Sequence, residues 1–184
     1  MSAEEIFLRL VAHMLEGMML HEQLADYFDF LALKGYGCCH EYHYLEETKS
    51  HREIQRYYIE HYNKILPQPR LNITDIIPQS WLPHVRQDVD ESAKREGVRG
   101  GLGRWRDWER ETKRLYQDLY GALMSIGEFA AAEKLRELVV DVDGELSEAE
   151  DMYLEASAVN FDMTVLIPDQ EVKYKKYSKK LSRV

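Results

Sequence analysis

Glutamate and histidine recur in this sequence at intervals that can set several of them on the inner faces of helices. In LEETKSHREI (45–54), Glu47 and His51 lie four residues apart, one helical turn, close enough to hold a single ion. At roughly 100° per residue, their side of the segment also collects His40, Tyr44, Ile54, Tyr58, Tyr62 and Ile65. His43 and His61 lie near the same face. A buried, unpartnered carboxylate is costly and takes up a proton instead, and a metal ion is the usual partner that keeps it ionised. His21 falls inside another apolar stripe, made by Ile6, Leu10, Met14, Gly17, Leu24, Phe28 and Leu31. Glu111 flanks the stripe Trp105, Trp108, Thr112, Leu115 and Leu119. Glu145, with Glu148 three residues on, flanks Val142 and Leu146. Each has an ordinary alternative: a core histidine bonded to backbone or tyrosine, a solvated acid at a helix margin, a Glu–His hydrogen bond. One acid or histidine per helix at mid-height is also the pattern by which a helical bundle binds metal.

The elements that must position these residues are long helices. Proline is rare, and Pro67, Pro69, Pro78 and Pro83 crowd into one stretch, leaving long proline-free segments on either side. The periodicity predicts a first helix over 3–34, stopped near Gly35 and Gly37, and a second over 38–66. A short polar helix is expected over 84–96, closed by Gly97 and the Gly100–Gly101 pair. A third long helix then runs from Trp105 to Ile126 and a fourth over 128–160. The run MTVLIP (163–168) reads as a strand or an extended arm, but one strand makes no sheet. The expected fold class is all-α: a four-helix bundle over 1–160, with a long helix 2–helix 3 crossover at about 67–103. Residues 161–184 are expected to form an extended basic C-terminal tail.

Composition limits the function. Hydrophobic residues make up 45% and charged residues 31% of 184 positions, which fits one folded domain. The net charge of −9 argues against a general nucleic-acid binder. From Glu171 onward, however, six cations face one acid; this reads as a solubilising tail, or as an arm for an acidic partner. The adjacent pair Cys38–Cys39 is badly placed for a structural disulfide, and no other cysteine exists; a cytoplasmic, reducing location is expected. The pair reads as a small-residue helix start or a redox-active thiol pair. The first residues are acidic and amphipathic rather than signal-like, and no stretch has the apolar length to span a bilayer.

Two passages carry a resemblance. LHEQLADYFDFLA is similar to the ferritin pattern in which a ligand glutamate is followed by alanine at +3 and tyrosine at +5, here Glu22, Ala25 and Tyr27. EETKSHREIQRYYI resembles the segment that carries that superfamily's Glu-x-x-His pair. Glu47 and His51 are spaced by four rather than three. Aligning on His51 puts Thr48 in the glutamate's place, and aligning on Glu46–Glu47 puts Ser50 in the histidine's place. The resemblance to the ferritin-like superfamily implies a carboxylate–histidine metal site drawn from Glu22, His21, Glu47, His51, Glu111, Glu145 and Glu148. It also implies iron, as a di-iron centre, or manganese, with ferroxidase or oxidase activity and a homo-oligomer (a dimer or larger). Tyr27, Tyr44 and Tyr58 would be redox partners or packing. Two other readings stand beside it: a ferritin-like bundle without metal that serves as a structural or interaction module, and a mononuclear site of His21, Glu47 and His51.

Overall fold

The computed structural model describes residues 1–71 and 85–183. The helices are α1 (Ala3–Phe30), α2 (Lys34–Tyr62), α3 (Glu91–Ser125), α4 (Phe129–Ala158) and α5 (Met163–Leu181), with a 3-10 turn at Arg86–Asp88 before α3. No strand occurs among the described residues. Part of the proline-rich connection, 72–84, lies outside them.

The ends of α1 follow from local chemistry. Ser2 Oγ accepts from the Glu5 N–H, and Glu5 Oε2 accepts from the Ser2 N–H at 2.6 Å, a reciprocal capping box. At the far end Ala32 takes a left-handed φ of 59°, and the Leu33 N–H returns to the Phe28 carbonyl. The chain therefore turns at 31–33, and Gly35 and Gly37 lie inside the first turn of α2 rather than stopping α1. Their role is proximity. A Cβ on Gly37 would sit 3.2 Å from the Ala25 carbonyl, and one on Gly35 would meet the Gln170 carbonyl oxygen at 2.5 Å.

The expected break at 97–104 is also absent: α3 is a single helix from an Asp90 N-cap. Two of its glycines, Gly97 and Gly101, face α1. A Cβ on Gly97 would lie 2.8 Å from Tyr27 Oη, and one on Gly101 would lie 2.6 Å from Phe28 Cζ. Backbone proximity here outweighs the roughly 1 kcal/mol that glycine costs a helix. The extended tail is corrected as well. MTVLIP opens α5, capped by Asp162, and α5 packs on α2 through Met163, Leu166 and Tyr177.

Short turns make α1–α2 and α3–α4 antiparallel hairpins, and α1 packs on α3. All eight inward positions expected for the first helix are buried, as are Trp105 and Trp108. The core forms two apolar clusters. One includes Leu20, Phe28, Tyr36, Cys39, Trp105, Trp108 and Ala149. The other includes Met14, Ile54, Tyr116 and Val142. Along the four helices, the positions between them are Gly17, Glu47, Glu109–Thr112 and Glu145. A polar belt thus crosses the bundle between two apolar ends.

Candidate metal centre

Glu47 and Glu109 are 8% and 0% exposed, on α2 and α3. Glu145 approaches from α4 across a cavity of about 20 Å³ lined also by Glu47, Ser50, Tyr116 and Asp141. That is room for one water-sized body. Helix α1 brings no acid to this cavity. A Cβ on Gly17 would lie 3.3 Å from Glu47 Oε1 and 3.4 Å from Trp108 Nε1, so carboxylate and indole press on bare backbone. One turn further along, α1 contributes His21, whose Nε2 is 3.6 Å from Glu109 Oε1.

The electrostatics follow from burial. Burial and then the Glu109 charge push the Glu47 carboxyl up to about 8. Burial lifts Glu109 to about 7, opposed by His43 and by the Trp105 N–H, which donates to Glu109 Oε1 at 2.9 Å. Glu145 rises strongly through burial and the charges of Glu109, Glu47 and Asp141. Glu145 is half-buried and keeps some contact with solvent. Tyr116 is raised by burial and the same three glutamates. His21 is lowered to about 3 by burial alone and is therefore neutral. His13 stacks on Trp108 at 4.3 Å and meets Thr112 Oγ1 at 2.7 Å; the Thr112 hydroxyl donates to the Trp108 carbonyl, so His13 Nε2–H is the donor.

Several residues singled out from the sequence stand elsewhere. Glu22 is exposed and lines an outer groove with Asp26, Asp29 and Glu41. Glu111 is exposed. His51 is half-buried and meets Gln55 on its own helix at 3.3 Å. Ser50, three residues after Glu47, is the one that faces the cavity. Glu148 is held by α5: Tyr177 Oη donates to it at 2.6 Å and Lys176 Nζ at 2.7 Å. Although burial acts to raise it, the contacts from His43, Lys176 and Tyr177 hold its carboxyl well below the usual range. Glu109 was not singled out from the sequence; its signal is the Trp105-x-x-x-Glu109-x-x-Thr112 spacing, which keeps it on the buried face.

As the side chains stand, no three His, Cys, Asp or Glu residues among the described residues converge tightly enough to ligate one ion. The donors nonetheless suit a divalent cation. Glu109 Oε2 is buried with no hydrogen-bond partner, and the cavity separates Glu47 from Glu145. Carboxylates with one imidazole favour iron or manganese over thiolate-seeking metals.

No family model and no curated protein matches the sequence. Solved structures do. A humanized archaeal ferritin superposes with a TM-score of 0.78 at 16% identity, covering 95% of this chain and 97% of its own. An Archaeoglobus fulgidus ferritin engineered to a closed form gives 0.76 at 15%, over 95% and 96%. The open-pore ferritin of the same hyperthermophilic archaeon gives 0.74 at 16%, over 95% and 97%. At such identity the likeness concerns architecture, and it spans nearly the whole of both chains: this protein has the ferritin fold.

Proposed function

We propose that this chain is an iron-handling protein that takes up a divalent cation, iron or else manganese, between Glu47, Glu109 and Glu145, with His21 beside them. The observation that carries the reading is the pair Glu47 and Glu145, from α2 and α4, on an ion-sized space, with the buried Glu109 of α3 beside them and all three carboxyls raised toward neutrality. Bound iron would supply one-electron chemistry with oxygen or peroxide, as a ferroxidase or oxidase, on one or two ions. The chain's own part is to hold the ion and the proton. Near neutral pH Glu47 holds its proton and Glu109 is only partly ionised while no cation is present, and both deliver negative charge when one arrives. Trp105 keeps Glu109 oriented, and the two apolar clusters exclude bulk water. Assembly of identical chains belongs to the same reading, drawn from ferritin architecture.

The test is elemental analysis after aerobic ferrous loading of the full chain, with manganese loading in parallel. At least one iron or manganese per chain is expected, falling at least tenfold in Glu47→Gln plus Glu145→Gln. An unchanged metal content in that variant overturns the reading. A second reading, a structural bundle without metal, is favoured by Gly17 and Ser50, two uncharged residues that face the carboxyls. Metal-free protein after loading decides for it.

A further inference from the structure

The space between Glu47 and Glu145 has a dry side and a wet side. Met14 from α1, Tyr116 from α3 and Leu138 and Val142 from α4 line it and are buried. Ser50 of α2 and Glu145 of α4 line it too and are half-buried, while Asp141 of α4 is exposed. Every lining residue that keeps solvent contact therefore belongs to α2 or α4.

Those two helices face each other across the cavity without packing closely. Helix α2 packs on α1 and α5, α4 packs on α3, and the backbones of α2 and α4 barely approach each other among the described residues. Part of this seam is bridged by α5. Lys176 and Lys180 reach Glu148 at 2.7 and 3.9 Å, and Lys180 lies over the Tyr42 ring at 4.5 Å. Helix α5 then ends at Leu181. Glu46 and Glu145, about one turn along α2 and α4 from Tyr42 and Glu148, lie past its end. The opening left there is acidic, since Asp141 and Glu46 stand close enough for their charges to act on Glu145. Asp143 is tied to Lys113 at 2.6 Å, whereas Asp141 forms no ion pair among the described residues. At the inner end Glu47 is 8% exposed and accepts no hydrogen bond among them.

We propose that the cation reaches the carboxyls sideways, through the α2–α4 seam past the end of α5, with Asp141 as its first contact and Ser50 as the narrow point. The inference rests on the cation centre proposed above and adds how that centre is filled. Asp141 is exposed and meets a hydrated ion at little cost. Glu145, one turn further along α4, stands half in and half out of solvent and takes the ion over. Glu47 lies at the dry end. Each carboxylate replaces part of the hydration shell, so water is shed in steps rather than at once. The cavity of about 20 Å³ holds one water-sized body, so passage is single file. Negative charge at the mouth draws cations and turns away oxyanions such as phosphate.

The test times the filling of the chelator-stripped full chain. Cobalt(II) quenches nearby indoles, and Trp105 and Trp108 flank Glu109 and Glu47. Stopped-flow fluorescence then gives the association rate, and removal by a chelator gives the dissociation rate. Asp141→Asn should slow association about fivefold at low ionic strength, a loss that fades in salt. Glu22→Gln makes the same charge change in the outer groove on α1 and should not slow it. Ser50→Leu should slow entry and release alike, because a plug in the path hinders both, whereas a merely lost ligand would speed release. Helical circular dichroism reports the folding of each variant. A saturable quench whose rates neither Asp141→Asn nor Ser50→Leu moves overturns the route and leaves the centre standing. Equal slowing by Glu22→Gln, or faster release from Ser50→Leu, also overturns the route alone. No saturable quench in the native chain overturns the centre and the route together.

Discussion

Glu47 and His21 pull the stability of the metal-free protein in opposite directions as pH changes. Glu47 has a folded value near 8 against an ordinary 4.5, so the folded state holds the proton more tightly than the unfolded state. Its contribution is full below about 4.5 and is lost as pH rises through 8. His21 is the reverse: lowered to about 3 from 6.5, it contributes fully above 6.5 and loses that as pH falls. Between pH 6.5 and 8 only the carboxyl side acts, because the histidines are already neutral in both states. Thermal melts of chelator-treated protein should therefore peak near pH 6.5 and decline toward 8. Glu47→Gln should flatten that decline, and a saturating divalent cation should reverse it, since the bound ion favours the ionised carboxylates. A pH-stat titration near pH 7 should likewise record proton release on cation binding. At this scale the sequence was only partly legible. His21 and Glu47 lie centrally in their stripes and could be placed inward. Glu109 and Glu111 lie on opposite flanks of the α3 stripe, and Ser50 and His51 are adjacent. For such pairs a 100° step is as wide as the uncertainty in where the buried face ends, and only packing against α1 and α4 decides between them.

At the scale of the element, α3 shows why glycine is ambiguous. Its glycines resemble helix terminators, yet Gly97 and Gly101 lie where Leu31, Tyr27 and Phe28 leave no space for a Cβ, whereas Gly121 has nothing within 4 Å. Gly101→Ala should cost about 1–3 kcal/mol through overpacking against Phe28, despite the better helix propensity. Gly121→Ala should gain about 0.5–1 kcal/mol from propensity alone. Denaturant melts of the two variants should move in opposite directions; a shift of the same sign would mean that the α1–α3 approach is looser than described. The helix periods themselves were readable because the apolar stripes are long. The close approach that turns a glycine from a breaker into a contact was not, since it depends on the partner helix. The same holds for α5, whose buried side becomes apparent only against α2.

For the whole molecule, the all-α architecture was legible because few prolines and long stripes leave little but a bundle. The partner of the basic segment was not legible. Lys173 pairs with Asp169 and Glu155, Lys175 with Glu171, and Lys176 with Glu148. Much of the positive charge thus meets acids of α4 and α5, and together with a net charge of −9 this predicts no retardation of duplex DNA in a gel-shift assay at physiological salt. No helix among the described residues is long and apolar enough to cross a membrane.

The seating of Tyr177 has a consequence for the chemistry of the neighbouring thiol. Burial pushes the Cys39 thiol up to about 12 although its contact with Tyr177 opposes the rise, and Cys39 is 0% exposed, so it is inert while α5 is docked. Its rate of alkylation is then a clock for α5 undocking. In a Cys38→Ser background, labelling of native protein should be slow and should quicken markedly in Tyr177→Ala, well before the bundle itself melts. If both changed only at the global transition, α5 and the bundle would open as one cooperative unit.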